Sequence, residues 1–232
     1  LADAGFAVRA MHLSGSGVPP AEMKGLALAG WRADVDREIA ALRAAHPARP
    51  IWLVGHSLGG ALAYDAALRP DNRIAGLVLL APLIDVSRAR SPLLSPRQWF
   101  GLLDRLLVFT DTIESRLPKD LRDPDARAAY RTDKYVHRDV YRALFDAVDA
   151  VRPRAADWRG PLLVAISATD QIVDSSSTRF FFSATNAAPA KLAEMHAAGH
   201  VLPLDYGHAK LAEKIARFIL DAPAAATRAS PP

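Results

Sequence analysis

The residues whose types and spacing could do chemistry are centred on Ser57. This serine stands in the sequence Gly-His-Ser-Leu-Gly at residues 55–59, after the apolar run 51–54 and before the helix-forming run 61–68. A glycine-flanked serine between a strand and a helix is the nucleophile-elbow pattern Gly-x-Ser-x-Gly. The pattern predicts a hydroxyl raised above a sheet, where it can attack a carbonyl carbon.

The residues beside Ser57 are expected to allow a sharp turn between the strand and the helix. We expect glycine at Gly55 and Gly59 because a side chain at either position would clash where the strand meets the helix. The backbone amide of Leu58, at the helix start, is the expected donor to a developing oxyanion. His56 completes the motif.

A serine hydroxyl is a weak nucleophile until a base takes its proton, and the base needs an orienting acid. On folds with this elbow the acid precedes the histidine in the chain. Asp170 follows the apolar run 161–166, which predicts a buried strand, and it would lie at the edge where parallel sheets place their sites. Asp174 is the alternative acid, and an ordinary helix-capping aspartate is the alternative role for Asp170.

His200 is the candidate base. It lies in a loop between an expected last strand at 191–196 and a closing helix with apolar residues along one face. Gly199 would allow that loop a close approach. His196 and His208 compete by position, but we expect them to lie within the strand and at the helix start.

These segments together resemble the α/β-hydrolase superfamily, and within it the bacterial carboxylesterases and monoacylglycerol lipases of the serine aminopeptidase-like branch. The resemblance is carried by residues 12–20, the elbow, residues 168–174 and the ending Gly-His-Val-x-x-Leu-Asp at 199–205. Ser16 stands where the family commonly has a histidine.

The resemblance implies a serine hydrolase in which Ser57, Asp170 and His200 form a catalytic triad. The implied substrates are small carboxylic esters with short or medium acyl chains, including monoacylglycerols, and no cofactor is needed. A peptidase, thioesterase or acyltransferase using the same triad, and a non-catalytic binding module on the same fold, remain alternatives.

The first residues predict the end of a helix, a glycine cap at Gly5 and a strand at 6–11. In the family, further strands precede this point, and an upstream loop supplies a second oxyanion donor. We therefore expect that donor upstream of Leu1. These residues alone are expected to be weakly active or inactive, since losing one donor costs about two to three orders of magnitude in rate.

Alternating strands and helices predict an α/β-hydrolase fold with a mostly parallel, doubly wound sheet. We expect a helix with Trp31, Val35, Ile39 and Leu42 on one face, ending near His46, and a strand at 74–80. Residues 1–81 and 159–221 are the expected core, 82–158 a helical cap insertion and 222–232 a disordered tail. The apolar helix expected at 96–109 would either line an acyl pocket or pack the cap onto the body, and packing is the preferred hypothesis.

Composition excludes several other classes of function. Lys and Arg total 29 against 25 Asp and Glu, and these charges are interleaved rather than clustered, so nucleic acid is not an expected partner. The chain has no cysteine and no His-Glu-x-x-His pattern, so we expect no disulfide and no metal site. No apolar run is long enough to cross a bilayer. A cytoplasmic location is the working expectation, and the oligomeric state is left open.

Overall fold

The computed structural model describes residues 1–89, 91, 93–106, 110–114 and 119–222. Its strands are β1 (Trp52–His56), β2 (Gly76–Leu80), β3 (Thr112–Glu114), β4 (Tyr135–His137), β5 (Leu162–Ser167) and β6 (Ala190–Met195). Four of them form one parallel sheet in the order β1-β2-β5-β6, while β3 and β4 pair as a separate antiparallel hairpin. The parallel sheet confirms the predicted α/β-hydrolase fold.

The helices are α1 (Leu28–Ala45), α2 (Leu58–Ala67), α3 (Pro96–Leu106), α4 (Pro124–Ala129), α5 (Arg138–Val151), α6 (Ser175–Ser183) and α7 (His208–Asp221). Short 3-10 turns occur at Ala2–Ala4, Pro20–Met23, Pro70–Asn72 and Arg152–Arg154. None of the described helices is both long enough and apolar enough to cross a membrane.

The spacing of apolar residues in the core helices explains which of their faces are buried. Trp31, Val35 and Ile39 are buried on one stripe of α1, as their helical spacing predicts, and that helix ends before His46. The helix α2 is buried over most of its length because small alanines let it lie close to β1 and β2. Both α1 and α5 then pack on α2.

The strand expected at 6–11 is absent from the structure. The preceding turn and its glycine cap are present, with Gly5 at a φ of 85°. An extended segment becomes a strand only when its backbone groups pair with a neighbour, and no described strand pairs with these residues. One edge of β1 is likewise unpaired in the described sheet, and Val54 is 45% exposed there.

The inserted block between β2 and β5 differs in its details from the expectation. The hairpin of β3 and β4 was not predicted. Helix α5 carries buried residues into the main core, where Val148 and Val151 join the cluster around the sheet. The division into core and cap at residues 82 and 158 stays a prediction. The expected disordered tail, apart from residue 222, and residues 107–109 of the expected apolar helix lie outside the described residues.

Helix α3 is held less tightly than its apolar sequence suggested. The ring of Phe100 lies against Tyr141 and Phe145 of α5, with ring centres 5.8 and 5.5 Å apart. None of the helix's described residues is buried, and Leu106 is 64% exposed. The contacts agree with the packing hypothesis, but much of the apolar face remains at the surface.

Candidate active site

Ser57 lies on a strained turn between β1 and α2. Its φ of 54° and ψ of −121° are unfavourable for a residue with a side chain. The turn is fixed from both sides: the Ser57 amide donates to the Leu80 carbonyl at 2.9 Å, and the Ser57 carbonyl accepts from the Leu83 amide at 2.9 Å. The end of β2 thus holds the serine at the carboxyl edge of the sheet.

The structure corrects the steric argument for the two elbow glycines. A Cβ atom on Gly55 would lie 2.2 Å from the carbonyl oxygen of Gly59, so no side chain fits there. At Gly59 a Cβ would meet nothing within 4 Å, and its φ is not positive. The second crowded position is instead Gly60, where a Cβ would approach Pro82 to 2.8 Å. The helix points Gly59 away from the strand, which the linear motif does not reveal.

Asp170 lies in the loop that follows β5, and its side chain is fully buried. One carboxylate oxygen, Oδ1, accepts hydrogen bonds from the amides of Ile172 and Val173 at 2.8 and 2.9 Å. The other, Oδ2, lies 2.8 Å from Nδ1 of His200. The alternative acid, Asp174, caps the amino end of α6 by accepting from the Ser176 amide.

His200 connects the other two side chains. Its Nε2 lies 2.9 Å from the hydroxyl oxygen of Ser57. Because an ionised carboxylate can only accept, the short contact with Asp170 assigns the proton to Nδ1. Nε2 is then free to accept the serine proton. The three residues therefore have the geometry of a Ser-His-Asp triad.

The two competing histidines lie elsewhere. His208 is the first residue of α7, and its Nδ1 lies 3.0 Å from the Asp205 carbonyl oxygen. His196 follows the last residue of β6 and is exposed. Neither has a described contact with Ser57.

His56 supports the loop that carries His200. Its Nε2 lies 2.9 Å from the backbone carbonyl oxygen of His200, and since a carbonyl only accepts, Nε2 donates. The planes of the two rings are inclined at 46°, with ring centres 4.8 Å apart. Burial, and next the positive charge that His200 can carry, lower the pKa of His56 to about 4. His56 is therefore a neutral hydrogen-bond donor near neutral pH.

Leu58 is the first residue of α2, so its backbone amide has no acceptor within the helix. Its role as a donor to an oxyanion beside Ser57 stays a prediction. The second donor expected upstream of Leu1 stays a prediction. Ser16, which stands where the family commonly has a histidine, is exposed.

Two buried carboxylates near the triad were missed by the sequence reasoning. Asp120 accepts from the amide of Gln171, next to Asp170, and Asp205 accepts from the amide of Gly199, next to His200. Asp205 ends the Gly-His-Val-x-x-Leu-Asp motif, so its position gave a usable signal. Asp120 gave none, because its partners lie far away in the chain.

No group of three or more described His, Cys, Asp or Glu residues could hold a metal ion. What the site offers is an activated hydroxyl, a base oriented by a buried acid, and a helix amide beside them. That arrangement can carry out acyl transfer through a covalent intermediate.

The parallel sheet, the strained serine after β1 and the order of acid and base define the class, an α/β hydrolase. The chain belongs to the serine aminopeptidase S33 family (Hydrolase_4), whose profile matches residues 1–207.

Sequence similarity to two curated proteins is consistent with this family. A monoacylglycerol lipase of Mycolicibacterium smegmatis is 27% identical over 139 residues, which are 58% of this chain and 49% of that protein. A monoglyceride lipase homolog of monkeypox virus is 25% identical over 163 residues, 66% of this chain and 56% of that protein. The chain spans about half the length of these curated relatives.

Solved structures show the same fold. A chain from work on LipS and LipT, two metagenome-derived lipolytic enzymes, superposes with a TM-score of 0.77 at 19% identity, covering 90% of this chain and 79% of that one. The monoacylglycerol lipase of Paleococcus ferrophilus gives a TM-score of 0.70 at 21% identity, with coverages of 84% and 76%.

Proposed function

We propose that this protein is a carboxylic ester hydrolase that works through an acyl-enzyme on Ser57. The observation that carries the proposal is the position of His200, which lies 2.9 Å from the Ser57 hydroxyl and 2.8 Å from the Asp170 carboxylate. With a buried acid at one ring nitrogen and the serine hydroxyl at the other, the imidazole can accept the serine proton as a general base and later donate it as a general acid. Acyl transfer requires both roles.

In this mechanism Nε2 of His200 takes the Ser57 proton as the serine oxygen bonds to the acyl carbon. Asp170 stabilises the resulting imidazolium, and the Leu58 amide donates to the tetrahedral oxyanion. The imidazolium then protonates the departing alcohol. Water, deprotonated by the same nitrogen, releases the carboxylic acid and restores Ser57.

We propose esters of short and medium acyl chains, including monoacylglycerols, as the substrates. Relatives named monoacylglycerol lipase and monoglyceride lipase homolog support this class. Hydrolysis of a panel of 4-nitrophenyl esters and monoacylglycerols of increasing chain length tests it. A profile that selects one range of lengths supports the proposal, and activity confined to peptide amides would refute it.

A fluorophosphonate probe tests the nucleophile directly. We expect covalent labelling at Ser57, located by peptide mass spectrometry, and loss of labelling in Ser57→Ala and His200→Ala. The test uses the full-length protein, because the second oxyanion donor is expected upstream of Leu1. A folded full-length protein that reacts with neither the probe nor any ester in the panel would rule out the proposed function.

The acid is tested by two matched substitutions. Asp170→Asn removes the negative charge facing His200, and we expect kcat to fall by about 10³- to 10⁴-fold. Asp174→Asn makes the same chemical change one turn further on, where asparagine caps a helix about as well as aspartate, so kcat should stay near wild type. Reversed effects would assign the acid to Asp174.

A further inference from the structure

The loops that carry Asp170 and His200 are joined by a third stretch of chain. We call residues 120–123 the bracing segment; it belongs to the block inserted between β2 and β5. Although this block is far from both loops in sequence, Asp120 is only 6% exposed and Leu121 only 1%. The segment is therefore anchored inside the body of the protein, next to the triad.

Asp120 contacts both loops. Its Oδ2 accepts the amide of Gln171, the residue after Asp170, at 2.7 Å. Its backbone carbonyl accepts the amide of Val201, the residue after His200, at 3.3 Å. A Cβ added to Gly199 would lie 2.6 Å from that same carbonyl oxygen, so the base loop fits against Asp120 only because residue 199 is glycine.

Asp205 completes the junction from the other side. It is fully buried, and its Oδ2 accepts the amides of Gly199 at 2.7 Å and Arg122 at 2.8 Å. Its Oδ1 accepts the amides of Asp123 at 2.9 Å and Tyr206 at 2.8 Å. Burial raises the pKa of the Asp205 carboxyl, but these four backbone donors outweigh that effect and hold the pKa below its usual value.

The hydrogen bonds fall on the immediate chain neighbours of the triad. Residues 199 and 201 flank His200, and residue 171 follows Asp170. A shift of the bracing segment would therefore be transmitted to the His200–Asp170 contact through one peptide unit. The two loops are also joined directly, since the Ser167 hydroxyl donates to the Ala198 carbonyl at 2.6 Å and the Thr169 hydroxyl donates to the same carbonyl at 3.3 Å.

We propose that Asp120 and Asp205 are positioning residues that set the distance between the His200 imidazole and the Asp170 carboxylate. Through them the geometry of the catalytic residues depends on how the inserted block is seated on the body. The inference deepens the proposed function and rests on it, because it assumes that His200 and Asp170 act in catalysis.

Three variants test the proposal by different routes. Asp120→Ala removes the oxygen that accepts the Gln171 amide. Asp205→Asn replaces one of two acceptor oxygens by an amide nitrogen, so two of its four backbone contacts are lost. Gly199→Ala keeps both carboxylates but pushes the base loop away from Asp120. Since Ser167 still joins the loops, we expect kcat for a short 4-nitrophenyl ester to fall about 10- to 100-fold, with KM changed less than threefold.

The matched control is Asp123→Asn. Its side chain caps α4 by accepting the amides of Asp125 and Ala126, and asparagine caps helices about as well. This variant makes the same chemical change as Asp205→Asn at a position inside the bracing segment, and its backbone amide can still donate to Asp205. We expect wild-type kcat.

A proton NMR spectrum reports the hydrogen bond between His200 and Asp170 directly. A substitution that only lowers the stability of the fold would leave this signal unchanged in the folded protein. The His200 Nδ1 proton, held against Asp170, should give a far-downfield resonance in wild type and Asp123→Asn. That resonance should shift or broaden in Asp120→Ala, Asp205→Asn and Gly199→Ala, under conditions where circular dichroism shows each variant folded. If one variant does not fold, the other two carry the test.

The outcomes separate the two proposals. Wild-type kcat and an unchanged resonance in the folded variants would overturn the positioning role while leaving ester hydrolysis intact. An equal fall in kcat in all the variants, including the control Asp123→Asn, would also overturn the positioning role. If the wild-type protein neither hydrolyses esters nor reacts with the fluorophosphonate, the proposed function fails, and the resonance still reports whether the carboxylates set the His200–Asp170 contact.

Discussion

His56 shows how burial fixes the state of a single residue at this site. Its ring donates to the backbone carbonyl of His200 and is largely removed from water, so the charged form is disfavoured and the pKa falls to about 4. An unfolded chain would titrate the same side chain near 6.5. Between these two values the unfolded state binds more protons than the folded state.

Stability should therefore depend on pH through His56. Acidification from pH 6.5 towards 4 is expected to lower the free energy of unfolding by on the order of 3 kcal/mol, with no contribution from His56 above pH 6.5. Urea unfolding measured at a series of pH values checks this expectation.

The matched variant is His56→Gln, which keeps an N–H donor but cannot titrate. Its stability should fall less steeply than that of wild type over the same pH range. Parallel curves for the two proteins would show that His56 is not the group responsible.

Local sequence was enough to select the residues of the candidate triad. Ser57 and Asp170 each follow an apolar run that predicts a strand, His200 follows the expected last strand, and the order of serine, acid and base is known for this elbow. Asp120 could not be predicted in the same way, because its surroundings are created by chain segments about 50 to 80 residues away. Nothing near it in sequence differs from an ordinary charged stretch.

At the scale of elements, the junction of β1 and α2 has one tightly packed side and one open side. Gly55 faces the backbone of the first helical turn, whereas Gly59 faces open space. Only Gly55 is therefore required for steric reasons, and alanine substitutions at the two positions should have different effects on stability.

Gly55→Ala should destabilise the protein by about 3 kcal/mol or more, since rigid backbone atoms cannot move aside. Gly59→Ala should keep or raise stability, by up to about 1 kcal/mol, because alanine favours the helix. Thermal unfolding followed by circular dichroism measures both. Equal losses would mean that the motif's glycines are needed for the same steric reason.

The attachment of α3 to α5 is expected to depend on salt. Arg97 pairs with Asp149, and Asp104 accepts from Arg142 at 2.7 Å, in surroundings open to water. Raising ionic strength from about 0.1 M to about 1 M shortens the screening length from about 10 Å to about 3 Å.

Hydrogen exchange of the α3 amides should therefore accelerate at high salt, while exchange in buried α2 stays constant. Asp104→Asn should exchange faster at low salt and respond less to added salt. Salt-independent exchange of α3 would show that the Phe100 contacts alone hold the helix.

The elements that sequence reasoning missed are those whose stability is not local. The hairpin strands β3 and β4 span only Thr112–Glu114 and Tyr135–His137, too short for an alternating pattern to be recognised. The strand expected at 6–11 has the right composition, but none of the described strands pairs with it. By contrast α1, α2 and β5 carry enough apolar residues to be predicted from composition and spacing alone.

For the chain as a whole, one edge of β1 has no partner strand among the described residues. In the described sheet this edge carries unpaired backbone groups beside the half-exposed side chain of Val54. Such an edge is a template for pairing with another chain.

We expect a protein that consists of these 232 residues alone to self-associate as its concentration rises, and we expect Val54→Lys to reduce this association. The control is Val8→Lys, at a valine that is 58% exposed but lies in no strand. Light scattering coupled to size-exclusion chromatography measures both. An equal effect of the two lysines would point to net charge rather than to the strand edge.

The unusual backbone of Ser57 also affects the whole molecule. Its φ of 54° costs about 1–3 kcal/mol, which a glycine at the same position would recover. Ser57→Gly should thus melt at a higher temperature than wild type while losing all ester hydrolysis. A serine held in this backbone conformation therefore lowers the thermal stability of the fold, and the proposed nucleophilic role gives the residue a chemical rather than a structural function.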